Sequence, residues 1–112
     1  MAKKTKSGIP KPPKTGAELI TIERERQMSE EGWTAEHDDL HDKSELARVA
    51  AIYALPVKYR RLHYVELWPM SWSWEWWKPT SRNRIKELTK AGALIAAEID
   101  RLQRLEVQDA TK

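Results

Sequence analysis

Between residues 36 and 42 the chain reads EHDDLHD, and this is its densest run of groups able to do chemistry. Carboxylate oxygens and imidazole nitrogens at such density are the donors a divalent cation takes, Mg or Mn being the ions that suit this oxygen-rich set. His37, Asp38, Asp39 and His41 are the candidate ligands. His37 and His41 stand four residues apart, and Asp38, Asp42 and Glu45 would share one face of a helix. The run is not the HExxH zinc signature, because residue 38 is Asp. The same side chains in a loop would cap helices and bond to backbone, so both readings stand.

A second set is basic and aromatic. Arg24, Arg26 and Gln27 precede Trp33, and Lys78, Arg82 and Arg84 precede the last apolar-periodic segment. A helix N-terminus attracts anions, and guanidinium makes forked contacts to phosphate. If these two stretches meet, indole can stack a base while the cations hold its phosphates. The alternative pairs the arginines with Glu23, Glu25, Glu30 and Glu87 on solvated helix faces. The third set is the run WPMSWSWEWW. Trp68, Trp72, Trp74, Trp76 and Trp77 are five of the six tryptophans of a chain with no Phe. Such a segment is either a lid completing a small core or an exposed interaction patch.

Composition narrows the partners. The chain carries 20 Lys+Arg and 17 Asp+Glu in 112 residues, for a net charge of +3. Residues 1–14 hold five of the lysines, three prolines and no apolar pattern, as expected of a disordered basic arm. Without those lysines the body has 15 basic and 17 acidic residues. Sequence-specific nucleic-acid binding, which calls for a basic body, is therefore not expected. Cysteine is absent, which removes disulfides and thiol catalysis. No apolar run approaches the ~18–20 residues of a membrane helix, and the N-terminus lacks a signal peptide's apolar centre.

The elements follow from caps and periodicity. Thr15 and Glu18 form a capping box for a helix ending near Glu31, with Gly32 as its left-handed stop. Thr34 to Lys43 shows no helical stripe. Asp42 with Glu45 forms a second box for a helix over 44–55, which Pro56 ends, and Val57 to Tyr64 holds a further helical turn. The last helix is capped by Thr80 or Ser81. Ile85, Leu88, Gly92, Ile95, Ile99, Leu102 and Leu105 give it a coiled-coil-like seam. Its thin middle, at Ala91, Gly92, Ala93, Ala96 and Ala97, serves either the intrachain core or a subunit interface, and a homo-oligomer is expected. The fold class is all-α: three or four helices over residues 15–107, a long C-terminal helix, a Trp-rich irregular connection and a flexible tail at 108–112.

Three stretches carry a resemblance: ERERQMSEEGWTAEHDDLH, ELARVAAIYA and WWKPTSRNRIKELTKAGALIAAEIDRLQR. They resemble a small helical family encoded by phages and prophages, with the pattern ERxRQ, EGWT, EHDD, GELA, WKP and KAGALIAAEIDRL. Ser44 stands where that pattern has Gly. The resemblance implies an accessory role in the cytoplasm of an infected bacterium. Arg26, Gly32-Trp33-Thr34, Asp39 and Lys43 are also similar to ryanodine-receptor repeat domains, which implies a nucleotide-like ligand, although the Pro-x-Leu-Val-Pro-Tyr segment of those domains is missing. The spacing of Glu36 and Asp39 is similar to half of the carboxylate signature of all-α NTP pyrophosphohydrolases of the MazG kind. Glu98 and Asp100, two apart, do not supply the other half. Three functions follow: a non-catalytic binder (a sponge) for a nucleotide-derived ligand, a module that inhibits a host or defence protein, and a metal-dependent nucleotide pyrophosphohydrolase.

Overall fold

The computed structural model describes residues 13–111, so the expected basic arm lies almost wholly outside the described residues. Within them the chain is helical without strands. Helix α1 spans Gly16–Glu30, α2 Ala35–Asp39, α3 Glu45–Ala54, α4 Val57–Arg60, α5 Tyr64–Leu67 and α6 Arg84–Ala110, with a 3₁₀ turn at Trp74–Trp76. The capping box forms as expected: the Thr15 hydroxyl accepts the Glu18 N–H at 3.1 Å, and the Glu18 carboxylate accepts the Thr15 N–H at 2.7 Å. Gly32 stops α1 at φ +75°. The Trp33 N–H then donates to the Gln27 carbonyl at 3.0 Å, which turns the indole back onto the helix.

Four boundary expectations are corrected. Thr34 to Lys43 contains α2, a single turn whose cap is Thr34, the hydroxyl accepting from the His37 N–H at 3.3 Å. The Asp42–Glu45 box does not form. Glu45 reaches back to the Lys43 N–H instead, and Ser44 turns the chain into α3 at φ +65° without a side-chain cap. Asn83, not Thr80 or Ser81, caps α6, accepting the Lys86 N–H at 3.1 Å. Helix α6 continues to Ala110, taking in most of the expected tail at 108–112.

The core forms where Leu46, Val49, Ala50, Ile52 and Tyr53 of α3 pack on Ala91, Leu94 and Ala97 of α6, closed by Trp68 and Trp72. The seam read from the sequence faces away from this core. Ile85, Leu88, Ile95, Ile99, Leu102 and Leu105 are exposed, whereas Glu87, Ala91, Leu94, Glu98 and Arg101 face inward. Alanines let neighbouring helices approach closely, and the buried charges have partners. Arg101 forks onto Glu98 at 2.8 and 3.1 Å. The fully buried Glu87 accepts from Arg60 at 2.7 Å, Arg84 at 2.8 Å and the Thr80 N–H at 2.9 Å. Burial pushes the Glu87 carboxyl up, but the Arg60 and Arg84 hydrogen bonds outweigh it and hold the group below the usual carboxylate range.

Ser44 occupies a backbone region that costs an L-residue about 1–2 kcal/mol and a glycine almost nothing. Ser44→Gly is expected to raise unfolding stability by about 0.5–1 kcal/mol, after the entropy glycine adds to the unfolded chain. Urea titration followed by circular dichroism measures it.

Candidate functional site

One cavity unites elements distant in sequence. Its volume is about 310 Å³, and its walls come from α1, the Trp33 turn, the end of α3, the Trp-rich segment and α6. Trp33, Trp76, Tyr53 and Leu94 supply apolar surface, Arg26, Lys78 and Lys90 positive charge, Glu23 and Glu31 negative charge, and Gln27 and His37 the remaining polar groups. The Trp33 ring stacks on His37 with centroids 5.6 Å apart and planes within 8°. Trp76 lies tilted 6.4 Å from Trp33, so the two indoles frame one side of the hollow.

The charges are preorganised. Arg26 forks onto Glu23 at 2.8 and 2.9 Å and reaches Glu31 at 3.1 Å. Burial raises the Glu23 pKa, but the Arg26 hydrogen bonds and charge bring it below the usual carboxylate range. Lys90 donates to the Lys78 carbonyl at 2.6 Å and lies 5.4 Å from the centroid of the Tyr53 ring. Burial, with the nearby Lys86, pulls the Lys90 pKa down. The Tyr53 hydroxyl accepts the Lys78 N–H at 3.1 Å and thereby ties the Trp-rich segment to α3. Lys78 extends to Glu31 at 3.9 Å with most of its side chain in solvent. Gln27 is different: it is 3% exposed, its amide nitrogen donates to Glu23 at 3.3 Å, and its carbonyl oxygen has no partner among the described residues. A buried acceptor without a donor is costly, and this one belongs to the cavity wall.

Of the basic and aromatic candidates, Arg26, Gln27, Trp33 and Lys78 meet here, joined by Trp76. Arg24, Arg82 and Arg84 do not. Arg24 is buried against Asp38 at 2.7 Å, and Arg84 donates to the carbonyls of Tyr53, Ala54 and Leu55 at the end of α3. Arg82 is exposed ahead of α6 and outside the cavity wall. The Trp-rich run divides. Trp68 and Trp72 are core residues, 3% and 5% exposed, and Trp77 is half-buried against Tyr53 and Tyr64. Trp74 and Trp76 reach the surface. Tyr53, Lys90, Glu23 and Glu31 were not expected as wall residues. For Tyr53 the signal was present, since a buried phenol needs a partner for its hydroxyl.

The metal expectation for His37, Asp38, Asp39 and His41 is corrected. Among the described residues no three His, Asp or Glu side chains converge as ligands. Asp38 is fully buried between Arg24 at 2.7 Å and His37 at 3.1 Å. Asp39 points to Arg104 at 2.8 Å. His41 packs 5.0 Å from Trp72 and 4.8 Å from His37. Successive residues Asp38 and Asp39 thus serve different neighbours, and no three of these side chains share a focus. Burial, followed by the proximity of His37, lowers the His41 pKa.

Two outcomes follow from these assignments. Asp38→Ala strands a buried guanidinium and is expected to cost about 3–5 kcal/mol, whereas Asp39→Ala removes an exposed pair and costs under about 1 kcal/mol. Added Mg should alter neither denaturation midpoint. Below pH 6.5 the unfolded chain binds a proton at His41 that the folded chain refuses. Stability should therefore fall as pH drops from 6.5 toward the lowered folded value, and His41→Gln should flatten that part of a stability-versus-pH curve.

No protein-family model, no curated protein and no solved structure matches this chain.

Proposed function

We propose that the protein is a phage accessory protein that captures a nucleotide-derived small molecule in the Trp33 cavity, without converting it, in the cytoplasm of an infected bacterium. The unpartnered Gln27 carbonyl in an aromatic-walled hollow carries this reading. Once the Gln27 side chain turns into the hollow, an amino or imino N–H of a nucleobase supplies the donor that its shielded oxygen lacks, and indole accepts the flat ring by stacking. Lys78 and Lys90 flank the hollow and offer charge to a phosphate. Arg26 contributes shape more than free charge, because Glu23 and Glu31 already hold it. The volume fits a mononucleotide-sized ligand.

A second reading has its own observation. Met70 is fully exposed, and Trp74 is 57% exposed over a shallow hollow with Trp68 and Pro69 beneath it. Exposed aromatic and methionine side chains in one loop suit contact with a host or defence protein. A pyrophosphohydrolase gains no support, because its acids do not assemble around one point. Among the described residues no helix is long and apolar enough to cross a membrane.

Isothermal titration with adenosine and guanosine monophosphates tests the first reading. At least one should bind saturably and return intact by chromatography. Trp33→Ala and Gln27→Leu should each weaken it at least about tenfold, a loss of about 1.4 kcal/mol. Gln27→Leu should leave the unliganded protein as stable or more so, since it deletes an unsatisfied buried acceptor. Absence of heat with both nucleotides, or binding by Gln27→Leu as tight as wild type, would oppose the assignment.

A further inference from the structure

The outer face of α6 is apolar and, apart from Ile20 of α1 over Gly92, carries no partner among the described residues. Ile85, Leu88, Ile95, Ile99 and Leu102 are all exposed, Ile85 by 68% and the others by 44–51%. They follow alternating three- and four-residue steps, with Gly92 in the middle of the row. At Gly92 the row is filled from elsewhere, because Ile20 of α1 packs into the space a Cβ would occupy. On one flank Thr89, Ala96 and Gln103 are uncharged, and on the other Glu98 is buried against Arg101.

We infer that this strip pairs with the same strip of a second copy, the two α6 helices running antiparallel about a two-fold axis between Ala93 and Leu94. The spacing selects that register. Read from either end, the row presents the same series of positions. Ile85 falls opposite Leu102 of the partner subunit, Leu88 opposite Ile99 of the partner subunit, and Gly92 opposite Ile95 of the partner subunit. Each layer joins one bulky residue to another, except the centre, where the partner's Ile95 meets Ile20 lying over Gly92. Charge favours the same direction. Arg82 lies ahead of α6 and Glu106 near its end, so antiparallel helices bring these opposite signs together and parallel helices set like beside like. The row exposes ~500 Å² of apolar side chain per copy, at the size where a patch marks an interface.

Sedimentation equilibrium of the full chain should give twice its 13.1 kDa mass at micromolar concentration. Ile99→Glu, at a position exposed in the single chain, should weaken association at least about hundredfold with unchanged helical content. The chain has no cysteine of its own, so introduced ones report direction. Leu88→Cys protein mixed with Ile99→Cys protein and oxidised with diamide should yield the mixed disulfide dimer. Either variant alone should not, because like positions then lie ~16 Å apart along the helices. A monomer at every concentration, or disulfide dimers from Leu88→Cys alone, would overturn the inference.

Discussion

The fold turns on a carboxylate with nowhere to go but its partners. Glu87 is fully buried, and the three groups that satisfy it come from three places along the chain: Arg60 after α3, Arg84 one turn back on α6, and the backbone of Thr80 in the connection. The two arginines are themselves anchored. Arg60 donates to the carbonyls of Ile52 and Tyr53 at 2.9 and 3.1 Å, and Arg84 to those at the very end of α3. The last carbonyls of a helix have no intrahelical donor, so the arginines satisfy that end while holding α6 against it. A buried ion pair of this kind gives little net stability over an apolar equivalent, but losing one member is severe. Its contribution here is register. It places Tyr53 where its hydroxyl can take the Lys78 N–H, and so sets the far wall of the Trp33 cavity.

Much of this was legible from local chemistry. The Thr15 box, the Gly32 stop and the break at Pro56 all follow from side chains that act on their own backbone. The all-α class follows from them as well. The inward face of α6 was not legible, for a physical reason. Periodicity ranks residues by apolar size, and Ile85, Leu88, Ile95, Ile99 and Leu102 outrank Glu87, Ala91, Leu94, Glu98 and Arg101 on that scale. Burial was decided instead by close approach and by partners remote in sequence, such as Arg60 for Glu87. The acidic run shows the same limit. Asp38 and Asp39 are neighbours of identical type, yet one is buried on Arg24 and the other exposed on Arg104. Local spacing contains nothing that separates them. The convergence of Arg26, Gln27, Trp33 and Lys78 was readable as a juxtaposition of two stretches, while Lys90 and Tyr53 required the packing of α3 on α6.

The two surfaces of α6 bear on each other. At 100° per residue, Lys90 and Leu94, which line the cavity, lie on nearly the opposite side of the helix from Leu88, Ile95 and Ile99. A partner laid along the outer strip therefore leaves the cavity mouth open, and a ligand in the cavity touches no residue of the strip. Rigidity links them even so. Leu94 belongs to both the core and the cavity wall, and Ile20, over Gly92, belongs to the helix that also carries Glu23, Arg26 and Gln27. A second copy bearing on Ile20 restrains α1 just where it supplies one wall of the hollow. Ordering that wall in advance lowers the entropy a ligand must overcome on entry. On the proposed pairing and capture, the two would be coupled through α1 with no shared contact between partner and ligand.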